Sequence, residues 1–311
     1  MGQALDEMLA LFELETLEVN LFRGNSPDED RQRVFGGQVA AQALTAAGRT
    51  IGDPDRRVHS LHAYFLRPGD PTVPIIYEVD RARDGRSFTT RRVVAMQHGR
   101  PIFTLSASFQ VVEDGPEHAE PMPDVPAPEA LPSWEERVAP YVARMGREQS
   151  GWLLRERPID SRPVSDPPWL DPTPREPRQD VWIRASGTLS DDPLLHACVV
   201  AYASDLTLLD TAMLPHGIAY SDTGWMIASL DHAMWFHRPF SAAEWLLYHQ
   251  WSPSASGARG LAGGLIFRQD GALAVTVIQE GLIRPVPRTG DLSSGVAASA
   301  SPSVPPPGAA Q

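Results

Sequence analysis

Two stretches of this chain are written to nearly the same pattern, and no other feature limits its possible folds so tightly. Residues 61–68 read Leu-His-Ala-Tyr-Phe-Leu-Arg-Pro, and residues 232–239 read His-Ala-Met-Trp-Phe-His-Arg-Pro. Phe65, Arg67 and Pro68 match Phe236, Arg238 and Pro239 at one constant offset. Each copy reads as a strand that ends at its Arg-Pro, because proline has no N–H to give to a ladder. A polar turn and two further strand-like runs follow each copy. The repetition predicts one αβ unit used twice, with the functional cleft where the two halves meet.

The rest of the chain fits that plan. Residues 5–18 are acidic and leucine-rich, with Leu5, Leu9 and Phe12 at helical spacing. Residues 20–33 read as irregular, with a turn cluster at Asn25-Ser26-Pro27-Asp28. Gly36-Gly37 opens an alanine-rich helix ending at Gly48, whose small side chains suit a closely wrapped sheet. Strands are expected over 58–66, 75–83, 87–97 and 100–112, with a hairpin turn at His98-Gly99. From 115 to about 180 nearly half of the 30 prolines occur, which predicts a surface linker with a helix or two. A strand over 181–189 follows. A helix begins at Asp191-Asp192-Pro193 and runs through Cys198 to Leu206, with acids at its positive end and proline in its first turn. Strands over 226–237, 244–254, 258–268 and 272–284 complete the second half, with a turn at Gln269-Asp270-Gly271. The tail is Ser, Ala, Gly and Pro and is expected to be disordered. Helix followed by antiparallel meander, twice, indicates an α+β fold rather than a doubly wound parallel sheet. The expected divisions are 1–112, a linker over 113–180, 181–288, and a tail over 289–311.

Composition narrows the function classes. With 27 basic and 39 acidic side chains the formal net charge is −12, which disfavours nucleic acid as a partner. A single cysteine, Cys198, excludes an internal disulfide or a multi-cysteine zinc site and fits a reducing cytoplasm. No basic-then-apolar leader is seen at the N-terminus, and no apolar run approaches the roughly 20 residues of a membrane span. Gly-x-Ser-x-Gly, phosphate-loop and dinucleotide fingerprints are missing.

Four motifs, in this order, carry a family resemblance. They are Val34-Phe35-Gly36-Gly37-Gln38; Ser204-Asp205 with Leu208-Leu209-Asp210-Thr211; Leu230-Asp231-His232-Ala233-Met234-Trp235-Phe236-His237-Arg238-Pro239; and Gln279-Glu280-Gly281. As a set they resemble the acyl-CoA thioesterase II family, over roughly residues 8–112 and 181–286. The resemblance implies a double hotdog fold, two antiparallel sheets each wrapped around a central helix. It implies hydrolysis of acyl-CoA thioesters without metal or cofactor, and a homo-oligomer. It also implies that an aspartate, a hydroxyl residue and a glutamine hold the attacking water, and these positions match Asp205, Ser229 and Gln279.

That trio suits the chemistry. Thioester hydrolysis needs an oriented water, a proton acceptor and donors for the oxyanion. Asp205 serves as base or electrostatic orienter, Gln279 can donate and accept, and Ser229 completes the water's hydrogen bonds. Gly36 and Gly37 permit close ligand approach at a helix start, where N–H groups point outward. Asp231 shares a face with Ser229 if the strand is regular, which makes it a reserve carboxylate for substrate binding. Neighbours on a strand point to opposite faces, so Asp231 and His232 are misaligned as a dyad. His232 and His237 read as structural, and Cys198 as a small buried apolar residue. Arg81, Arg83, Arg86, Arg91 and Arg92 are candidates for a CoA-phosphate dock on one solvent face. Two rival functions remain open: an enoyl-CoA hydratase on the same fold, and a non-catalytic acyl-CoA binding module.

Overall fold

The computed structural model describes residues 2–27, 32–145, 150–220 and 222–286. Asp28 of the expected turn cluster and the expected tail from residue 289 lie outside them.

The first half opens with helix α1 (Gln3–Phe12), which buries Leu5, Met8 and Phe12. The expected helix over 5–18 stops there. Strands β1 (Glu15–Glu18) and β2 (Leu21–Gly24) follow and pair across Val19-Asn20. Asn20 has φ 63°, a left-handed conformation that asparagine tolerates and that closes the two-residue turn. Edge pairing therefore replaces a longer helix and only the first residues of the irregular stretch expected over 20–33; residues 25–27 and 32–33 form no helix or strand. Helix α2 (Gly36–Arg49) buries five alanines among its core residues. Strands β3 (Arg56–Phe65), β4 (Ile75–Asp84), β5 (Phe88–Gln97) and β6 (Arg100–Val111) wrap it.

The proline-rich segment does more than connect. It contains helix α3 (Trp134–Met145) and strand β7 (Ile159–Pro163), which extends the sheet beside β8 (Arg178–Ala185). Met122, Val125 and Leu131 pack on Trp182, Trp245, Leu247 and Phe267, and the Trp182 indole donates to Pro126 O at 2.9 Å. Alternation explains the covering: Val181, Ile183 and Ala185 join the inner core, while Trp182 between them points outward.

Helix α4 (Pro193–Ser204) begins as its sequence predicts, with the Asp192 carboxylate accepting the Leu194 N–H at 2.9 Å. It ends at Ser204, and Asp205 is its C-cap. A short helix α5 (Asp210–Met213) follows. The strand expected over 226–237 is two strands, β9 (Trp225–Ser229) and β10 (Asp231–Phe236). Strands β11 (Leu246–Ser256), β12 (Arg259–Arg268) and β13 (Leu273–Pro285) complete the half.

All strand pairs are antiparallel, in the order β1-β2-β4-β5-β6-β3-β10-β13-β12-β11-β8-β7, with β9 also on β13. This is a double hotdog, and the halves join edge to edge through the repeated segment itself. β3 and β10 pair from Ser60 opposite Trp235 to Tyr64 opposite Asp231. His62 and Ala233 hold the same place in the two copies and lie opposite each other, so a local two-fold axis passes between them. The offset that relates the copies also carries β5 onto β12, residue for residue. The shared arginines are ties between strands. Leu66 and Arg67 give their N–H groups to Ile102 O at 2.8 and 3.1 Å, and the Arg67 guanidinium donates to Pro101 O at 2.5 Å. His237 and Arg238 do the same to Ala274 O, and Arg238 to Leu273 O at 3.0 Å.

Inside, α2 and α4 lie antiparallel. A Cβ on Gly37 would stand 2.5 Å from the backbone oxygen of Tyr202, so this approach needs glycine there; one on Gly48 would meet only the Leu194 side chain, at 2.3 Å from Cδ2. Thr45 Oγ1 and Cys198 Sγ are 3.3 Å apart between them, and burial pushes the Cys198 thiol up to about 12.

Leu61 is fully buried at the seam, opposite Met234. Leu61→Ala is expected to remove about 2–5 kcal/mol of stability, measured as a lower urea midpoint at unchanged slope.

Candidate active site

The interruption between β9 and β10 builds the site. Ser229 lies opposite Gly281, whereas Ala233 lies opposite Ile278. Three residues on one strand therefore face two on β13, which is a bulge. Leu230 N–H donates to Glu280 O at 2.9 Å, and Leu230 O accepts the Phe65 N–H at 2.9 Å. The Asp231 carboxylate accepts the Glu280 N–H at 2.7 Å, replacing a ladder bond the bulge has lost. The strand is thus not regular, and the premise that set Asp231 beside Ser229 fails. Asp231 holds the bulge. The residues that turn inward are Ser229 and His232.

Asp205, Ser229 and Gln279 meet although they come from a helix end and two strands. Gln279 Nε2 donates to Asp205 Oδ1 at 2.6 Å and to Ser229 Oγ at 2.8 Å. Ser229 Oγ donates to Asp205 Oδ1 at 3.1 Å. The carboxylate also accepts the backbone N–H of Gly37, in the first turn of α2. An N–H there is one of the four that a helix leaves unpaired, so the first half supplies a donor to the second half's carboxylate. Burial pushes the Asp205 carboxyl up to about 6, and the Gln279, Ser229 and Gly37 donors pull against that rise.

Asp205 and Ser229 border a cavity of about 410 Å³ between the halves. The first half contributes Val34, Phe35, Gly36, Val39, Phe65, Arg67 and Ile102, and the second Leu206, Tyr220, Ala228 and Leu230. Gly36 is part of this wall, and a Cβ on it would stand 2.6 Å from Asp205 Oδ2. Gly37 is buried against α4 and meets the site only through its N–H. Gln279 is fully buried behind Asp205 and Ser229.

The arginine cluster stands elsewhere. Arg83 lies level with Thr90, Ser108 and Ser60 across the sheet. That is five residues along β3 from Phe65, about 17 Å at strand rise. Arg91 is not on a solvent face: it is 2% exposed and pairs with Asp84 at 2.6 Å and Thr50 Oγ1 at 2.7 Å. The arginines at the cavity are Arg33 and Arg67. Arg33 donates to Ile227 O at 2.6 Å, on the strand that delivers Ser229. Sequence reading missed both as site residues, although Arg67 stood inside the repeat. Tyr220, half exposed at the cavity, had no signal at all. Among the described residues no group of three or more His, Cys, Asp or Glu could hold a metal ion.

The family signature of acyl-CoA thioesterases matches residues 157–282, and that of the acyl-CoA thioesterase N-terminal domain matches residues 26–110. The chain is 44% identical to acyl-coenzyme A thioesterase 8 of Homo sapiens, covering 89% of each chain. It is 40% identical to acyl-CoA thioesterase 2 of Haemophilus influenzae, over 91% of this chain and 99% of that one. It also resembles the crystal structure of the acyl-CoA thioesterase II TesB2 from Mycobacterium marinum, with a TM-score of 0.72, 44% identity, and 90% and 98% of the two chains covered. The chain belongs to the acyl-CoA thioesterase family. It is a thioester hydrolase, and the matched regions include all three of Asp205, Ser229 and Gln279. A carboxyl near 6 is largely ionised at neutral pH.

The sign of the Asp205 shift makes a paired expectation. Its folded value lies above the ordinary carboxylate value, so the folded state holds the extra proton between about pH 4 and 6. Stability therefore falls as pH rises through that window, and the cost is fully present above it. Asp205→Asn is expected to raise Tm at pH 8, with the difference vanishing below pH 4, while lowering kcat by about 10²–10⁴-fold. In the parent, kcat/KM should rise with pH through an acid limb near 6.

Proposed function

We propose that Asp205 and Ser229 hold the water that attacks the thioester carbonyl of acyl-CoA, and that Gln279 fixes both. The convergence of Gln279 and Ser229 on one oxygen of a buried carboxylate, at the wall of the cavity, carries this reading. Water oxygen bonds to the carbonyl carbon as its proton passes to Asp205. The oxyanion forms near Gly36, the first residue of α2, which lines the cavity and whose N–H is one of those a helix leaves unpaired. The carbon–sulfur bond then breaks, and the proton on Asp205 leaves with the CoA thiolate. The acid remains with the hydroxyl from water, and no covalent enzyme intermediate is needed.

The cavity supports acyl-CoA as the ligand. Val34, Phe35, Val39 and Ile102 offer an apolar lining for an acyl chain, and Arg33 and Arg67 offer cations for the CoA phosphates. A hydratase would need a carboxylate and an imidazole on one substrate, yet Asp231 is engaged with the bulge and His232 with Ser204. A second copy of the chain is the proposed partner. Tyr64 is 61% exposed on the outer face of the seam, where His62 and Trp235 meet edge to face at 5.1 Å. The cytoplasm is the proposed location. In the described residues no helix is long and apolar enough to cross a membrane.

A thiol-release assay with CoA esters from acetyl to palmitoyl is the direct test. Release of CoA thiol, lost in Asp205→Asn, is expected. Hydration of an enoyl-CoA without thiol release, or binding with neither reaction, would overturn the reading. Ser229→Ala and Gln279→Ala should each cost less than Asp205→Asn and add little to it, because the three act as one unit. Ser229→Thr, which keeps the hydroxyl, should be nearly neutral. Light scattering should return a multiple of 34.0 kDa.

A further inference from the structure

Behind the cavity the second half carries a polar pair where the first half carries an apolar one. Next along both strands from the opposed Ala233 and Ile278 come His232 on β10 and Gln279 on β13. The corresponding step of β3 and β6 sets Leu61 opposite Ala107. All four residues are buried, His232 at 1% exposure and Gln279 at 0%. Leu61 and Ala107 bring no polar side-chain atom inside. His232 and Gln279 bring four, and an unpaired polar atom in a dry interior is costly.

Two of the four are satisfied. Gln279 Nε2 bonds Asp205 and Ser229, and His232 Nε2 lies 2.9 Å from Ser204 Oγ. The other two, His232 Nδ1 and Gln279 Oε1, have no hydrogen-bond partner among the described residues. Gln279 cannot satisfy its oxygen by turning the amide over, because the Asp205 carboxylate at 2.6 Å accepts only from the NH₂ end. Oε1 therefore stays in the interior and needs a donor there. The opposed imidazole can be that donor if its hydrogen is on Nδ1.

We propose that His232 is a positioning residue: the single Ser204 hydroxyl hydrogen, which has Ala201 O at 3.1 Å and His232 Nε2 at 2.9 Å as acceptors, goes to His232 Nε2, and the Nδ1–H then donates to Gln279 Oε1 through one buried water. A chain then runs Ser204–His232–Gln279–Asp205, and it closes on itself because Ser204 immediately precedes Asp205. The Tyr248 hydroxyl secures the same turn by donating to Ser204 O at 3.3 Å. Burial holds the His232 imidazole down to about 4, so it stays neutral at physiological pH and does not compete with Asp205 as base.

This rests on the reading of Asp205 as the base, so its test reads Asp205 without requiring turnover. In the full-length protein, carboxyl ¹³C NMR follows Asp205 ionisation and ¹⁵N NMR reports the His232 tautomer. His232→Gln keeps a group near Ser204 but removes the donor to Gln279. It is expected to loosen the amide and raise the Asp205 pKa by about half to one unit. The acid limb of kcat/KM should move up with it, and kcat should fall on the order of tenfold with KM held within about twofold. His232→Asn, which keeps an N–H near the Nδ1 position, should return the limb toward the parent. In a Gln279→Ala background His232→Gln should shift nothing further. An unmoved Asp205 pKa in His232→Gln, or an equal shift in the Gln279→Ala background, would overturn the assignment. So would an imidazole hydrogen found on Nε2 in the parent protein, which decides the matter even if the variants do not fold. Absence of thiol release in the parent would instead remove the thioesterase mechanism and leave the NMR result standing.

Discussion

The hydrogen bonding of β3 to β10 is the constraint on which the other features depend. Each half would otherwise present an unpaired strand edge, the kind of surface that recruits another chain. Here the two edges are copies of one segment and satisfy each other about a local two-fold axis. That pairing sets the inner faces of both sheets on one side and obliges α2 and α4 to share the enclosed space. Gly37 then lets the helices touch, and the antiparallel packing brings the positive end of α2 to the C-terminal end of α4.

The proposed catalytic set sits where the two halves differ in residue type. Both halves carry the same bulge, at His59 in β3 and at Leu230 in the second half; it turns Val58 and Leu61 into the core of the first half and Ser229 and His232 inward in the second. The first half contributes in another way. It supplies the Gly37 N–H, the glycine at 36 that admits the carboxylate, and the apolar wall with its two arginines. The second half carries the proposed catalytic set, and the first provides much of the enclosure. Keeping a carboxylate in that enclosure is expected to lower stability at neutral pH, and the same burial raises its affinity for a proton, as the proposed base requires.

The rest of the second half compensates on its outer face. The proline-rich segment lays Met122, Val125 and Leu131 over Trp182 and Trp245, and Arg162 and Arg184 stand 5.1 and 4.3 Å over the Trp245 ring. On the first half, Tyr64 is exposed at the outer seam.

Much of this was legible in the residues. The repeated Arg-Pro segment predicted two halves and a cleft between them. Alternating and 3.6-residue patterns located most strands and both central helices, because burial of one face is a local property of the chain. The conjunction of Asp205, Ser229 and Gln279 was legible through family likeness. Other features were not, and the reasons are physical. A bulge is one added residue relative to a partner strand, so the shift that separates Asp231 from Ser229 exists only once β13 is in place. The arginines over 81–92 gave a strong local signal, but Arg83 stands five residues along the strands from Phe65 and Arg91 is buried, and both are tertiary facts. Arg33 and Tyr220 reach the cavity from loops without periodicity. The sequence by itself determined the twofold plan, the faces that are buried and the residue types able to do the chemistry, since these follow from local patterning. Only the tertiary structure decided that Asp205 is a buried carboxyl near 6, held by donors from both halves, because desolvation and hydrogen bonding there come from residues far apart in the chain.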